Sequence, residues 1–251
     1  LSTSLVLDLF VPVLIWVSMI YLVEYFHRDF DGRINVPLLW SAIPILVLLY
    51  IFLSKSPIAF LLFGGVFLST VLYALKNKFL ALSLFSFLFR GFVEFFIFWI
   101  LFLFYQRDFA NAAIFLPLAV SIYFITAARN LVGDIRDVQF DKTSFPKRFG
   151  VDSSYIMSSL LLVVSILFVE NLFIALPLLV PFLLMFGRFN SFILHKVFVI
   201  ATAFFFLNQI FFVLSYSLLL SNLLFLFTLA YFSYELVPRK SNKQYLGAKN
   251  D

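Results

Sequence analysis

Residues Ala110–Asp141 read ANAAIFLPLAVSIYFITAARNLVGDIRDVQFD. From Ala110 to Gly133 the stretch carries a single charged residue, Arg129. An apolar run of about 20 residues in a helix is the length that crosses the ~30 Å hydrocarbon core of a bilayer. Three carboxylates follow at once: Asp134, Asp137 and Asp141. The stretch therefore predicts a membrane-spanning helix whose end delivers acidic groups to one face of the membrane.

The rest of the chain agrees with that reading. It has 251 residues, 63% hydrophobic and only 12% charged, where a soluble domain has about 25% charged residues. Its mean hydropathy is +1.06. Apolar stretches recur at about 4–26, 36–54, 57–75, 79–105, 110–133, 153–169, 172–186, 194–215 and 218–237, predicting an all-α polytopic bundle of about nine spans around a central cavity. The domain reading is one transmembrane domain over residues 1–237 and a polar cytoplasmic tail over 238–251. Pro12, Pro44, Pro117, Pro177 and Pro181 fall inside spans, which neighbouring helices tolerate if they satisfy the freed carbonyls. No cysteine is present, so disulfides, thiolate chemistry and Cys-held metals are excluded. Leu1 is followed by no basic segment, so the start does not read as a signal peptide.

Charge placement sets an orientation. With the first residue outside, fifteen of the eighteen Lys and Arg fall on one side of the membrane, including Arg28, Arg33, Lys142, Lys147 and Arg188. Lys55 and Arg107 fall on the other, and Arg90 lies within a span. That bias makes the charged side cytoplasmic. It also accounts for the net charge of +5 as topology, so no nucleic-acid partner is expected. The expected location is a multi-pass protein of a prokaryotic plasma membrane, with the acidic loops and the C-terminus cytoplasmic. The 38 Phe residues are read first as lipid-facing bulk, with an aromatic wall around a cationic intermediate as the functional alternative.

Two loops on the cytoplasmic side share a spacing. Asp134, Asp137 and Asp141 lie at i, i+3 and i+7, and so do Glu24, His27 and Asp31. Adding Asn130 gives positions 0, +4, +7 and +11, a continuous helical stripe. Carboxylates gathered on one stripe repel unless a cation sits among them, and hard oxygen ligands suit Mg²⁺, which suits a diphosphate. The plain alternative is a solvated helix end, with Arg136, Lys142 and Lys147 balancing the charge. Arg90 and Glu94, at i, i+4 inside a span, are read as a mutual ion pair or as an Arg90 that points into the cavity. Asn208 and Gln209 are read as interhelical glue, and Gly64-Gly65 as a close helix contact.

Arg129–Gly150, RNLVGDIRDVQFDKTSFPKRFG, resembles the second aspartate-rich motif of the UbiA superfamily of intramembrane prenyltransferases. That motif is D-x-x-D-x-x-x-D, a basic residue, then a T-x-P-x-x-x-G-like tail. It is matched by Asp134, Asp137, Asp141, Lys142, Ser144, Pro146 and Gly150. The first motif, N-D-x-x-D-x-x-x-D followed by R-I-N-x-P, is matched in its tail by Arg33, Ile34, Asn35 and Pro37, with Gly32 as an extra residue. Its metal-binding part departs, because Val23, Glu24 and His27 stand where the family has Asn, Asp and Asp. One span precedes this motif where the family usually has two, and four follow the second motif where it has three.

The resemblance implies transfer of an isoprenoid chain from its diphosphate to an aromatic or other lipophilic acceptor. Mg²⁺ is the implied cofactor. The implied partners are an isoprenyl diphosphate, a small acceptor and membrane lipid, with no obligatory protein partner. Asp134, Asp137 and Asp141 would bind Mg²⁺–diphosphate, and Glu24, Asp31 and Asp29 a second ion. Lys142, Arg33, Asn130 and Arg90 would contact substrate, and His27 would bond the diphosphate or relay a proton. Two other readings compete: a catalytically weakened relative that binds an isoprenoid lipid, and an unrelated small transporter with Arg90 and Glu94 along its path.

Overall fold

A backbone carrying this much apolar sequence has few polar side chains or waters to satisfy its N–H and C=O groups, and helices satisfy them within each segment. The computed structural model describes residues 57–106, 112–139, 141, 143–213 and 217–236. Among these residues every regular element is helical and no strand occurs. The expected spans at 4–26 and 36–54 lie outside the described residues, as does the tail. Two compact units are formed, Leu1–Ala119 and Val120–Asp251.

In the first unit, α1 (Pro57–Ala74) starts on a proline, whose missing N–H costs nothing at a helix N-terminus. A 3₁₀ turn (Leu75–Asn77) leads to α2 (Leu80–Leu84) and α3 (Ser86–Gln106). The single span expected at 79–105 is therefore two helices, broken at Phe85, whose backbone leaves the helical well at φ −112°, ψ 16°. α1 packs along α3. Gly65 lies at that contact: a Cβ there would sit 2.9 Å from the Phe96 ring, whereas at Gly64 it would meet open space. The expected close helix contact thus rests on Gly65. Along α3, Phe95, Phe98 and Phe102 meet Trp99 edge-on, with centroids 5.3–6.2 Å apart. Ala119 and Phe115, from the start of α4 (Ala112–Arg136), complete this cluster.

The second unit continues α4 and adds α5 (Phe145–Phe149), α6 (Val151–Leu167), α7 (Leu172–Phe186), α8 (Ser191–Val213) and α9 (Leu218–Leu236). α7 packs mainly on α8, and α8 also holds α9. Phe198 and Phe205 of α8 and Ile174 and Leu178 of α7 are fully buried. Ser154, Ser158 and Ser165 make a buried small face on α6, from which the Ser158 hydroxyl donates to the Ala128 carbonyl of α4 at 2.9 Å.

Proline creates a particular problem in α7. Pro177 has no N–H to give the carbonyl of Phe173, four residues earlier. Two asparagines supply the donors. Asn222 Nδ2 of α9 donates to Phe173 O at 3.1 Å, and Asn208 Nδ2 of α8 reaches the same oxygen at 3.4 Å. Asn208 also donates to Ile174 O at 3.1 Å and to Asn222 Oδ1 at 3.0 Å. The glue expected of Asn208 is thus a junction of three helices, built around a carbonyl that proline leaves without its helical partner.

Two helices are long and apolar enough to cross a membrane among the described residues, Ala112–Arg136 and the Ser191–Gln209 part of α8. Large apolar side chains are widely exposed: Leu61, Leu167, Leu172, Phe186, Leu219 and Phe227 each show more than 60% of their surface.

Candidate functional site

The acidic sequence sits where α4 ends. The helix stops at Arg136, and the chain continues through a turn. Two helix-like bonds persist beyond it, Asp137 N–H to Gly133 O at 3.0 Å and Asp141 N–H to Asp137 O at 3.1 Å. The expected stripe is therefore helical only through Asp134; Asp137 and Asp141 are placed by single turns. Asp134 and Asp141 are buried, while the Asp137 side chain is 41% exposed.

Asp137 is held by its own neighbour. Arg136 Nε donates to Oδ1 at 2.8 Å and Nη2 to Oδ2 at 2.6 Å, a two-pronged pair of the geometry that suits a guanidinium and a carboxylate. The third arm reaches another helix: Nη1 lies 3.3 Å from Nδ1 of His195, on α8. A guanidinium has only donors, so Nδ1 must accept and the ring proton sits on Nε2. His195 lies against α4 at Gly133, where a Cβ would come within 3.5 Å of Nε2 and Cδ2. Arg129, Gly133 and Arg136 follow one another at helical spacing along this face, about a quarter turn from the acidic stripe.

The following loop is fixed by its own chemistry. Lys147 Nζ donates to the Asp141 carbonyl at 2.6 Å. The Ser144 hydroxyl caps α5 by accepting from Lys147 N–H at 3.4 Å, and Pro146 lies in the first turn. Gly150 joins α5 to α6 at φ +91°, ψ 158°, a conformation reserved almost wholly for glycine. Ser144, Pro146 and Gly150 of the motif tail thus all have structural work: cap, helix start and turn.

Other expected site residues are dispersed. Asn130 Nδ2 donates to its own helix at Thr126 O, 2.8 Å away. Arg90 Nη2 lies 3.9 Å from Glu94 Oε1 on α3, both side chains less than a fifth exposed, which is the geometry of the mutual pair. Glu24, His27, Asp29, Asp31, Arg33 and Lys142 lie outside the described residues.

The donor chemistry near the end of α4 suits Mg²⁺, since Asp134, Asp137 and Asp141 offer hard oxygens. The arrangement is another matter. Among the described residues no three carboxylates or imidazoles gather closely enough to hold a metal ion. Both Asp137 oxygens are engaged by Arg136, so a cation reaching them must share them or displace the guanidinium.

Spacing in the sequence does not single out His195. It lies 59 residues from Arg136, and only the packing of α8 on α4 shows the pairing. One signal was available: it is a polar residue one turn into an otherwise apolar helix, next to Lys196.

Compared with known proteins, the chain matches no family model, no curated protein and no solved structure.

Proposed function

We propose that the protein is an integral-membrane prenyltransferase of the UbiA kind, moving an isoprenoid chain from its diphosphate to an aromatic or other lipophilic acceptor with Mg²⁺ assistance. The observation that carries this reading is the join of a 25-residue apolar helix, Ala112–Arg136, to the sequence Asp134-x-x-Asp137-x-x-x-Asp141, with Asp134 and Asp141 buried. Hard carboxylate oxygens brought to the end of an apolar helix suit Mg²⁺, and Mg²⁺ suits a diphosphate. The widely exposed apolar side chains support a multi-pass membrane location, because lipid is the solvent in which such a surface is stable.

In this reading Asp134, Asp137 and Asp141 would hold Mg²⁺–diphosphate, and Glu24, Asp31 and Asp29 would bind a second ion. Mg²⁺ held there would supply electrostatic stabilisation of the leaving diphosphate. Lys142, Arg33 and Asn130 contact the diphosphate, and aromatic faces shield the allylic cation.

A second reading is favoured by one observation. The Arg136 clamp on Asp137, with His27 standing where the family has Asp, suits a relative that binds isoprenoid lipids without turnover. One experiment separates the two. Detergent-purified protein is incubated with radiolabelled farnesyl or geranylgeranyl diphosphate, Mg²⁺ and a panel of phenolic and glycerol-phosphate acceptors. Label is expected in a lipophilic product, and Asp137→Ala is expected to abolish transfer while leaving expression intact. Binding without product supports the second reading, and His27→Asp then restores turnover if the first motif is the weak point. Neither transfer nor Mg²⁺-dependent binding of diphosphate refutes both.

A further inference from the structure

Arg136 and Asp137 are neighbours in the chain, and in a continuous helix such neighbours point about 100° apart and do not meet. Here they form a two-pronged pair, because α4 stops at Arg136 and a turn carries the Asp137 side chain round to it. The helical ladder slips at the next residue: Val138 N–H goes to Ile135 O, three residues back, at 3.4 Å. A helix continued through Asp141 would put Asp134, Asp137 and Asp141 on one face and swing Arg136 away from Asp137. The acidic stripe and the Arg136 pair therefore exclude each other. The guanidinium is also anchored from α8. Its Nη1 lies 3.3 Å from Nδ1 of His195, the one hydrogen bond of that ring among the described residues. Nδ1 accepts, so the imidazole is neutral. Arg136 is thus fixed from two sides, by the carboxylate beside it and by an imidazole far along the chain. Dissolved ions can still reach the pair, since the Arg136 side chain is 32% exposed and that of Asp137 41%.

We propose that His195 is a positioning residue, which holds the Arg136 guanidinium on Asp137 and so makes Arg136 an internal competitor of a divalent cation at the acidic motif. The inference rests on the prenyltransferase reading, which supplies the cation, Mg²⁺. It adds a regulation of that site: Asp137 becomes a ligand only where Arg136 gives it up.

Such a role has a sign that a merely structural one lacks. Loosening the anchor tightens cation binding, whereas damage to the fold weakens it. His195→Leu removes the acceptor and leaves the net charge unchanged, because the ring is neutral. His195→Asn keeps an amide oxygen near the Nδ1 position, so the anchor survives. Arg136→Lys keeps the positive charge but loses the fork that spans both Asp137 oxygens.

Full-length protein in phosphatidylcholine nanodiscs is titrated with Mn²⁺, which takes the same oxygen ligands as Mg²⁺ and is followed by the EPR signal of the free ion. His195→Leu and Arg136→Lys are expected to bind Mn²⁺ about threefold to tenfold more tightly than wild type, as for one hydrogen bond lost by the competitor. His195→Asn is expected to stay within about twofold of wild type, because its oxygen keeps the anchor. Adding Asp137→Asn to His195→Leu is expected to abolish the gain. Affinity in His195→Leu equal to or below that of wild type overturns the positioning role and leaves the prenyltransferase reading standing. A gain that survives Asp137→Asn overturns it too, because the cation then sits elsewhere. Mn²⁺ bound by none of the proteins also overturns it, and transfer of labelled farnesyl diphosphate then decides separately whether the prenyltransferase reading falls. If His195→Leu does not fold, Arg136→Lys against wild type decides the matter alone.

Discussion

Replacing Asn222 by Leu tests the three-helix junction at its weakest point. The amide does two things: it donates to Phe173 O at 3.1 Å, and it accepts from Asn208 at 3.0 Å. Leu is close in size, so the change is chiefly one of polarity. Phe173 O keeps only the 3.4 Å contact with Asn208, because Pro177 has no N–H to return. A buried polar group stripped of its partner costs about 1–3 kcal/mol, and interhelical hydrogen bonds within membranes average less, about 0.6 and at most about 1.7. The expected loss for Asn222→Leu is about 1–2 kcal/mol. The decisive step is the second change. Pro177→Ala gives α7 an N–H aimed at Phe173 O, so Asn222→Leu should cost less in that background, with a coupling of about 0.5–1 kcal/mol. The assay is a double-mutant cycle of equilibrium unfolding in mixed detergent micelles, followed by helicity. Equal cost of Asn222→Leu with proline and with alanine at 177 would refute the claim that the asparagines serve the carbonyl that proline frees.

Three further outcomes follow from the geometry. Gly64→Ala meets open space and should stabilise the protein by up to about 1 kcal/mol, whereas Gly65→Ala puts a methyl 2.9 Å from the Phe96 ring and should cost about 1–3 kcal/mol; thermal unfolding of the two variants gives opposite signs. Gly150→Ala forces an L-residue into φ +91°, ψ 158° between α5 and α6 and should cost about 1–3 kcal/mol, read as a lower Tm. Exchanging Arg90 and Glu94 should restore most of the stability that Glu94→Gln alone removes, since a pair at 3.9 Å on one helix serves in either order; no recovery of Tm would mean that Arg90 answers to something else.

The helices were legible because their cause is local. A run of some 20 apolar residues leaves its backbone no partner but itself, so 57–75, 110–133, 172–186 and 218–237 read directly as helices and were found within a few residues of those limits. The departures have equally local causes. Phe85 breaks a span without proline or glycine, and the extended Phe79 at the other end of the short α2 precedes its first residue. The helix Phe145–Phe149 announced itself by Ser144 as cap and Pro146 in the first turn, a signal that the acidic motif overshadowed.

The site was legible only in its inventory. Asp134, Asp137 and Asp141 are visible as residue types, and the plain alternative had Arg136 and Lys147 balancing their charge. Both cations do lie on this loop, Arg136 on the Asp137 carboxylate and Lys147 on the Asp141 carbonyl. What sequence spacing could not convey is that one guanidinium joins two separate segments. Arg136 faces Asp137, its neighbour in the chain, and His195, far along it, at the same time. In the prenyltransferase reading, a cation and a diphosphate would therefore meet an Asp137 carboxylate already neutralised by Arg136. Loading the site means exchanging one set of ion pairs for another: the divalent ion for Arg136 at Asp137, and phosphoryl oxygens for the carboxylate at Arg136. The one Arg136–Asp137 pair would give way to two contacts, the divalent ion on Asp137 and phosphoryl oxygens on Arg136, so loading must first break a bidentate pair.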